Sequence, residues 1–234
     1  MCAARHTSHT MNGSDVPQEL IDQVAALIHG AERVVVFTGA GISTDSGIPD
    51  FRGPKGVWTK NPEAERTSNI DHYLNDPEVR KKAWENLVRY WDRNYEPNGG
   101  HRAVTALHGT GKVRAVITQN VDGLHQAAGI PDDIVRELHG TLRFARCWEC
   151  KDRRPMAELI ERVKKGEKDP ACMLCGGIVK SDTILFGEAL VPEVLDGAMS
   201  AADSCDVLLA VGSTLGVWPA NNAVPRALAA GAHV

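Results

Sequence analysis

The sequence lacks the features that would direct a protein to a membrane, to nucleic acid or out of the cell. It has no apolar run close to the roughly 18 residues that cross a bilayer. Residues 1–14 carry Arg5 and His6 but no apolar core, so they do not resemble a secretory signal. A net charge of -4 argues against a general nucleic-acid surface. These absences predict a cytoplasmic protein with no nucleic-acid or membrane partner.

The composition is that of an ordinary globular chain. At 234 residues the chain suits one large domain, or one large and one small domain. The hydrophobic fraction of 43% and the charged fraction of 24% are typical of soluble proteins. Residues 1–14 are predicted to form a disordered tail, and the remainder shows no tandem repeat or low-complexity tract.

The most informative stretch begins with Val34–Phe37, an apolar and largely β-branched run that predicts a strand buried on both faces of a parallel sheet. Gly39 and Gly41 follow directly and would let the backbone turn sharply and approach a ligand. Ser43 or Thr44 is then predicted to cap a helix whose N–H groups face a phosphate. The alternative is an ordinary strand turn, since Gly-x-Gly is common in such turns.

This stretch departs from the usual dinucleotide fingerprint. Thr44 stands where a third glycine is expected, and no strand ending in an acid follows about 20 residues later. The segment 47–53 instead mixes glycines, a proline and a charged pair around Phe51, which suits neither a helix nor a strand. We interpret it as an ordered loop over whatever the first turn binds, the alternative being a surface loop with an incidental Phe.

The cysteines form two closely spaced pairs. Four of the six cysteines have the pattern Cys-x-x-Cys twice, which predicts a tetrahedral four-thiolate zinc site. Four sulfur ligands leave no position for water, so such a zinc would be structural. Disulfides and chance are the alternatives, and disulfides are rare in the cytoplasm. The ligands would be Cys147, Cys150, Cys172 and Cys175. Cys205 is predicted to lie in the core.

The chain alternates predicted helices and strands. A helix from residue 15 to Gly30 is expected to pack on the sheet, and residues 54–75 are expected to be a mobile excursion. The remaining predicted helices are 77–95, 101–107, 155–168, 191–202 and 219–230, and the remaining strands are 113–118, 141–146, 180–186 and 206–214.

This alternation predicts an α/β fold, a Rossmann-like parallel sheet with helices on both faces plus a small zinc-binding module. The large domain would comprise residues 15–143 and 181–234, and the zinc module residues 144–180.

Polar residues follow the predicted strands. Asn120 and Asp122 could point into one crevice at the carboxyl edge of the sheet and read an amide and ribose hydroxyls, or they could merely cap the next helix. His139 precedes a glycine at a strand start and could accept a proton from a sugar hydroxyl, although a lone histidine is usually structural. Gly212–Ser213 forms a second turn suited to phosphate or ribose contact.

Taken jointly, the motifs resemble those of the sirtuin family over roughly residues 20–232. Each motif is weak alone, but their occurrence in this order is specific. They are Gly39–Ser43, Gly47–Arg52, Thr118–Asp122, His139–Gly140, the two cysteine pairs, Phe186–Glu188 and Gly212–Ser213.

The resemblance implies NAD-dependent removal of acyl groups from lysine side chains of proteins or peptides. NAD phosphates would lie near the first glycine turn, and Phe51 would shield the reacting sugar from water. The cofactor-binding residues would be Gly39, Ala40, Gly41, Ser43, Asp50, Phe51, Arg52, Gln119, Asn120, Asp122, Gly212 and Ser213.

The resemblance also implies the catalytic and substrate residues. Asn120 and Asp122 would hold the nicotinamide and its ribose, and His139 would act as the base. The acylated peptide would add as a strand between the zinc module and the large domain. Its contacts would be the main chain near Phe186, Gly187, Glu188 and Val217.

Two departures from the family pattern stand out. Sirtuins continue with a strand whose Asn contacts the adenosine ribose, so the chain ending at Val234 is interpreted as truncated at the C-terminus. Tyr90 and Arg93 have the Tyr-x-x-Arg spacing of members that prefer acidic acyl groups, but they stand too close to the following Pro97. We therefore expect a preference for neutral acyl groups.

Three other functions stay open at this point. A nicotinamide oxidoreductase would reduce NAD, but the expected Tyr-x-x-x-Lys pair is missing. A zinc-stabilised binder of NAD or peptide would bind without turnover. An ADP-ribosyltransferase would use NAD to modify protein.

Overall fold

The computed structural model describes residues 16–50, 56 and 66–234. Phe51 and Arg52, the predicted tail and residues 57–65 therefore lie outside the described residues. The helices are α1 (Gln18–Gly30), α2 (Ile70–Asn75), α3 (Pro77–Trp91), α4 (Gly99–His108), α5 (Leu124–Ala127), α6 (Met156–Lys164), α7 (Pro192–Asp203) and α8 (Ala223–Ala229). None of these described helices has the length and apolar content to span a membrane.

Seven strands form two sheets within the described residues. The larger sheet is parallel, in the order β3-β2-β1-β7, and the smaller is antiparallel, in the order β5-β4-β6. The strands are β1 (Val34–Thr38), β2 (Val113–Thr118), β3 (Val135–Glu137), β4 (Gly140–Cys147), β5 (Arg153–Pro155), β6 (Val179–Thr183) and β7 (Val207–Val211).

Strand β1 is central to the parallel sheet and all five of its residues are buried. Its side chains alternate between two faces, as strand geometry requires. Val35 and Phe37 pack in a cluster with residues of α7 and α8, whereas Val34 and Val36 pack with Val104 of α4. Helices therefore cover both faces of the sheet, which confirms the predicted fold class.

The antiparallel sheet carries Cys147 at the end of β4, and the other three paired cysteines lie outside its strands. Its core joins Met156, Leu159 and Ile160 of α6 to Trp84 of α3, so α6 turns an apolar side inward. The predicted boundaries between the large domain and the zinc module, at 143/144 and 180/181, fall inside strands β4 and β6. These domain boundaries stay a prediction.

Helix α1 forms and ends at Gly30 as predicted, but the prediction that it packs on the sheet is wrong. Its apolar side chains Leu20, Ile21, Val24 and Leu27 are 40–51% exposed, and none of its residues is buried. Helices α4, α7 and α8 already cover the sheet faces. Apolar periodicity predicts a helix with an apolar side, but it does not identify the surface that covers it.

The end of the predicted mobile excursion is instead a helix. Asn69 caps α2 by accepting hydrogen bonds from the N–H groups of Asp71 and His72. Ile70 and Tyr73 are buried, and the Tyr73 hydroxyl donates to the Val179 carbonyl oxygen at 2.8 Å. The prediction failed because a six-residue helix is too short to show a clear apolar period.

Other differences are local. Strands β3 and β5 have three residues each and were not predicted, since three residues cannot establish alternation. The predicted helix 219–230 begins as a 3-10 turn, Ala220–Asn222, before α8. Cys205 is 5% exposed, which confirms that it lies in the core.

Candidate functional site

Two glycine turns meet at the carboxyl edge of the parallel sheet. The Gly39 N–H donates to the Val211 carbonyl oxygen at 3.0 Å, and the Gly41 N–H donates to the Gly212 carbonyl oxygen at 2.8 Å. Gly212 has φ +63, and a Cβ there would lie 2.2 Å from the Ile42 nitrogen. Only glycine fits this contact, which places the backbones of both turns side by side.

Ser43 lies inside the first turn and does not cap a helix. Residues Ala40–Ser46 form a 3-10 helix. Its N-cap is Gly39, which has no side chain to form a capping hydrogen bond. The Ser43 hydroxyl, 1% exposed, donates to Asp122 Oδ2 at 2.7 Å and accepts from Asn120 Nδ2 at 3.0 Å. The cap prediction was wrong because the tight 3-10 turn directs Ser43 toward β2 instead of along its own helix axis.

Asn120 and Asp122 therefore converge on one hydroxyl group. Asn120 Nδ2 also donates to the Gly39 carbonyl oxygen at 3.1 Å, so it ties the β2 loop to the first glycine turn. Asp122 Oδ1 accepts from the Leu124 N–H at 2.9 Å. Asp122 thus holds the start of α5 with one oxygen and contacts Ser43 with the other, and its role in binding ribose hydroxyls stays a prediction.

His139 is attached to the same loop. Its Nδ1 lies 3.0 Å from the Gln119 carbonyl oxygen, which can only accept, so Nδ1 carries the proton and Nε2 keeps its lone pair. Burial lowers the pKa of His139, and the hydrogen bond to Gln119 partly opposes this. Gln119 Nε2 also donates to Ser213 Oγ at 2.8 Å. Gln119 therefore connects His139 to the second glycine turn.

The predicted substrate residues lie on two other segments. The Phe186 N–H donates to the Ser68 carbonyl oxygen at 2.8 Å, and the Phe186 carbonyl oxygen accepts from Ile70 at 3.0 Å. The Phe186 side chain is 46% exposed. Val217 is half-buried, and its carbonyl oxygen accepts from Asn221 at 3.0 Å. Among the predicted cofactor residues of the loop, Asp50 is half-buried, and Phe51 and Arg52 lie outside the described residues.

The four paired cysteines form a compact cluster. Cys147 and Cys175 have their Sγ atoms 3.5 Å apart, Cys150 and Cys172 have theirs 3.6 Å apart, and all four lie within 4.8 Å of one another. A tetrahedron of sulfurs at the zinc–thiolate distance has edges of about 3.8 Å. The cysteines are therefore positioned to bind one zinc ion.

Several polar residues behind the site were not among the predicted site residues. Thr38 Oγ1 donates to Thr118 Oγ1 at 2.8 Å, and Thr118 Oγ1 accepts the Asn120 N–H at 3.0 Å. His125 Nε2 lies 3.0 Å from Thr38 Oγ1 and must donate, since the Thr38 proton is used toward Thr118. His125 Nδ1 is then a buried acceptor without a partner in the described part of the chain.

Asn98 is a further residue that sequence reasoning missed. Its Nδ2 donates to the Ile42 carbonyl oxygen at 2.7 Å and to Ser46 Oγ at 3.0 Å. Its Oδ1 caps α4 by accepting from Gly100. The signal available was an Asn before a helical run, which indicates a cap but not the second contact to the glycine turn.

The buried His125 predicts acid-sensitive stability. Burial lowers the pKa of His125 to about 4, with a smaller effect from His101. Between that value and the ordinary pKa of about 6.5, the unfolded chain binds more protons than the folded one. The stabilisation is therefore complete above about pH 6.5 and is lost as the pH falls toward 4. His125 should account for a loss of about 2 kcal/mol in unfolding free energy between pH 7 and pH 5.

Urea unfolding of wild type and His125→Gln at both pH values measures this loss. The glutamine variant should lack this part of the pH dependence, whereas His29→Gln, at an exposed position, should keep it. An equal pH dependence in the wild type and His125→Gln would contradict the assignment.

Comparison with known proteins identifies relatives of this chain. The profile of the Sir2 family matches residues 39–219. An NAD-dependent protein deacetylase 2 of Streptomyces coelicolor is 45% identical over 205 residues, which cover 88% of this chain and 85% of the relative.

Solved structures give the same result. One described as the structural basis for the mechanism and regulation of Sir2 enzymes has a TM-score of 0.81 and 39% identity, and the match covers 92% of this chain and 84% of the other. A Sir2 variant in complex with a deacetylated p53 peptide and 3'-O-acetyl ADP ribose has a TM-score of 0.80 and 30% identity, with 91% and 84% covered.

Proposed function

The chain belongs to the Sir2 family, and we propose that it is an NAD-dependent protein lysine deacylase. It would transfer the acyl group of an acyl-lysine side chain to ADP-ribose and release nicotinamide and free lysine. The observation that carries the proposal is the convergence of Asn120 and Asp122 on the Ser43 hydroxyl at the edge of the glycine turns. His139 joins the same loop through Gln119.

The residues around this loop have complementary tasks. NAD, when bound, supplies the ADP-ribose that receives the acyl group. Asn120 and Asp122 present an amide and a carboxylate, which can hydrogen-bond a carboxamide and ribose hydroxyls. The N–H groups of the first glycine turn suit phosphate oxygens.

His139 supplies the base of the reaction. Its Nε2 lone pair would accept the proton of a ribose hydroxyl whose oxygen bonds the acyl carbon, and water would then displace the lysine nitrogen from that carbon. The lowered pKa of His139 keeps this nitrogen unprotonated near neutral pH.

The zinc site has a structural task in this proposal. Four thiolates saturate the ion, so no coordination position is left for catalysis. The ion would fix the small module that forms one wall of the peptide site. The cluster needs reduced cysteines, which is consistent with a cytoplasmic location.

One assay tests the proposal against its rivals. The chain is mixed with NAD and an acetyl-lysine peptide, and nicotinamide and free-lysine peptide are quantified together. The proposal requires equal amounts of both. NADH absorbance without nicotinamide would indicate an oxidoreductase, a protein or peptide gaining ADP-ribose mass would indicate an ADP-ribosyltransferase, and binding without turnover would indicate a binder.

Replacement of Ser43 by alanine should weaken the use of NAD. The substitution removes the hydroxyl group that orients both Asn120 and Asp122. A hydrogen bond to a charged group contributes about 1.5–3 kcal/mol, which corresponds to a fall of about 10- to 100-fold in kcat/KM for NAD. Initial rates at varied NAD concentration measure this, with the exposed Ser204→Ala as the control. A fall of less than twofold would argue against the shared role of Ser43.

Acetyl-lysine peptides should react faster than succinyl-lysine peptides of the same sequence. Burial raises the pKa of Tyr90, and the charge of Asp122 adds to this effect. Arg93 is exposed in the turn after α3, so an ion pair between it and an acyl carboxylate would be open to solvent and weak. Initial rates on the two peptides test this, and faster succinyl turnover would refute it.

A further inference from the structure

Lys180 of β6 is a buried lysine, 5% exposed, whose ammonium group has a complete set of acceptors. Its Nζ lies 3.0 Å from Glu188 Oε2 and 3.1 Å from the Ser181 carbonyl oxygen, and it also donates to the Thr183 carbonyl oxygen. An ammonium group has three N–H donors and no acceptor. The three contacts therefore satisfy it, which is what allows a charge to be buried at this position.

Glu188 closes a turn onto this lysine. Its Oε2 also accepts the Leu185 N–H at 2.8 Å, and the Glu188 N–H donates to the Leu185 carbonyl oxygen at 3.0 Å. The Glu188 side chain is only 12% exposed. One carboxylate oxygen thus joins the start of the turn 185–188, its end and the buried ammonium group.

The outer side of the same turn is paired with another segment. The Phe186 N–H and carbonyl oxygen bond Ser68 and Ile70, as described above. Gly187 has φ +92, and a Cβ there would lie 3.0 Å from Ile70 Cγ2. The turn 185–188 is therefore held at two points. Its residue Phe186 bonds the backbone of Ser68 and Ile70, and its residue Glu188 pairs with Lys180.

No other described carboxylate forms an ion pair with Lys180. Asp182, two positions along β6, is bound by Arg146 and Arg153, at 2.6 Å each. Glu188 is thus the one described acidic side chain within ion-pairing distance of the ammonium group. Loss of either partner would leave the other charge buried and unpaired, and the turn would have to rearrange to expose it.

We propose that Lys180 is a positioning residue for the acylated peptide, because its ion pair with Glu188 fixes the turn 185–188, which is predicted to receive the peptide main chain. This inference rests on the proposed function. It deepens that function by assigning substrate affinity to a side chain buried beneath the binding turn. The expected signature is a raised KM for peptide without a comparable change in the KM for NAD.

The test compares three variants with the wild type in nicotinamide-release assays on an acetyl-lysine peptide. Lys180→Met should raise the peptide KM about tenfold or more, while the NAD KM stays within about twofold. Lys180→Arg should largely restore the peptide KM, because a guanidinium group can keep the ion pair. Lys82→Met, an exposed lysine of α3, is the matched control and should match the wild type.

A double variant, Lys180→Met with Glu188→Met, separates positioning from stability. Replacing a buried ion pair with apolar side chains often restores stability. Thermal unfolding should therefore return to near the wild-type midpoint while the peptide KM stays raised. A stable double variant with wild-type peptide KM would overturn the inference alone. Absence of nicotinamide release by the wild type would overturn the proposed function and the inference together.

Discussion

Replacement of His139 by alanine should lower the rate of acyl transfer by about 10²–10⁴-fold, the usual contribution of a general base. The side chain is half-buried and makes one described hydrogen bond, to the Gln119 carbonyl oxygen, so its removal should leave the fold intact. Free-lysine peptide is quantified at saturating NAD and peptide. The exposed His29→Ala is the matched control. Retained activity in a folded His139→Ala chain would exclude His139 as the base.

The same variant separates the two halves of the reaction. In the proposed reaction nicotinamide would leave before His139 deprotonates the ribose hydroxyl, so exchange of labelled nicotinamide into NAD should persist in His139→Ala. Loss of exchange to the same extent as deacylation would instead assign His139 to cleavage of the glycosidic bond.

The lowered pKa of His139 predicts how the deacylation rate falls at acidic pH. Burial lowers this pKa below its ordinary value of 6.5, so Nε2 stays free to accept a proton at neutral pH and somewhat below. The rate should therefore fall only when the pH drops below about 6.5. An acid limb with a midpoint above neutrality would contradict the burial seen around His139.

The sequence predicted most of the elements that position the site. Strand β2 was predicted with its observed bounds, Val113–Thr118, because its mainly apolar residues, interrupted only by the exposed Arg114, end sharply in a polar segment. The glycine turn after β1 and the paired cysteines were also located, since glycine and cysteine at fixed spacing have few alternative uses. The elements that were predicted correctly are therefore mainly those whose signal lies within a few consecutive residues.

The connections between distant residues could not be predicted. Ser43 or Thr44 was expected to cap the helix after the first glycine turn, but Ser43 bonds Asp122, which is 79 residues away. Thr38 and Thr118 are 80 residues apart and form a hydrogen bond only because β1 and β2 pair in register. The Lys180–Glu188 pair is local, but the burial that gives it importance depends on how the surrounding segments pack. Each of these contacts is a product of tertiary structure.

The exposed side of α1 illustrates the same limit. Its apolar periodicity predicted the helix correctly, whereas the partner of that side was assumed to be the sheet. Leu20 and Ile21 are 51% and 47% exposed. A hydrophobic pattern identifies the residues that gain from burial, but it contains no information on which surface buries them.

Loss of the zinc ligands should unfold the small module and abolish deacylation. Structural zinc contributes about 10–16 kcal/mol to the folding of zinc-finger peptides, as much as the whole stability of a typical domain. Cys147 and Cys172 are part of the module core as well as the cluster, so release of the ion would disturb the packing around α6. The change to test is Cys175→Ser, because Cys175 is exposed and its loss creates no buried cavity.

Zinc content, thermal unfolding and limited proteolysis measure the result. Wild type should bind one zinc per chain, and Cys175→Ser should lose the ion and be cleaved within residues 144–180. Cys205→Ser is the matched control, because Cys205 is a buried cysteine outside the cluster and its replacement should leave the zinc in place. A zinc-free Cys175→Ser chain that unfolds at the wild-type temperature and still deacylates its peptide would show that the ion does not hold the wall of the peptide site. The core that the module shares with α3, formed by Trp84, Met156, Leu159 and Ile160, would then be sufficient for that task.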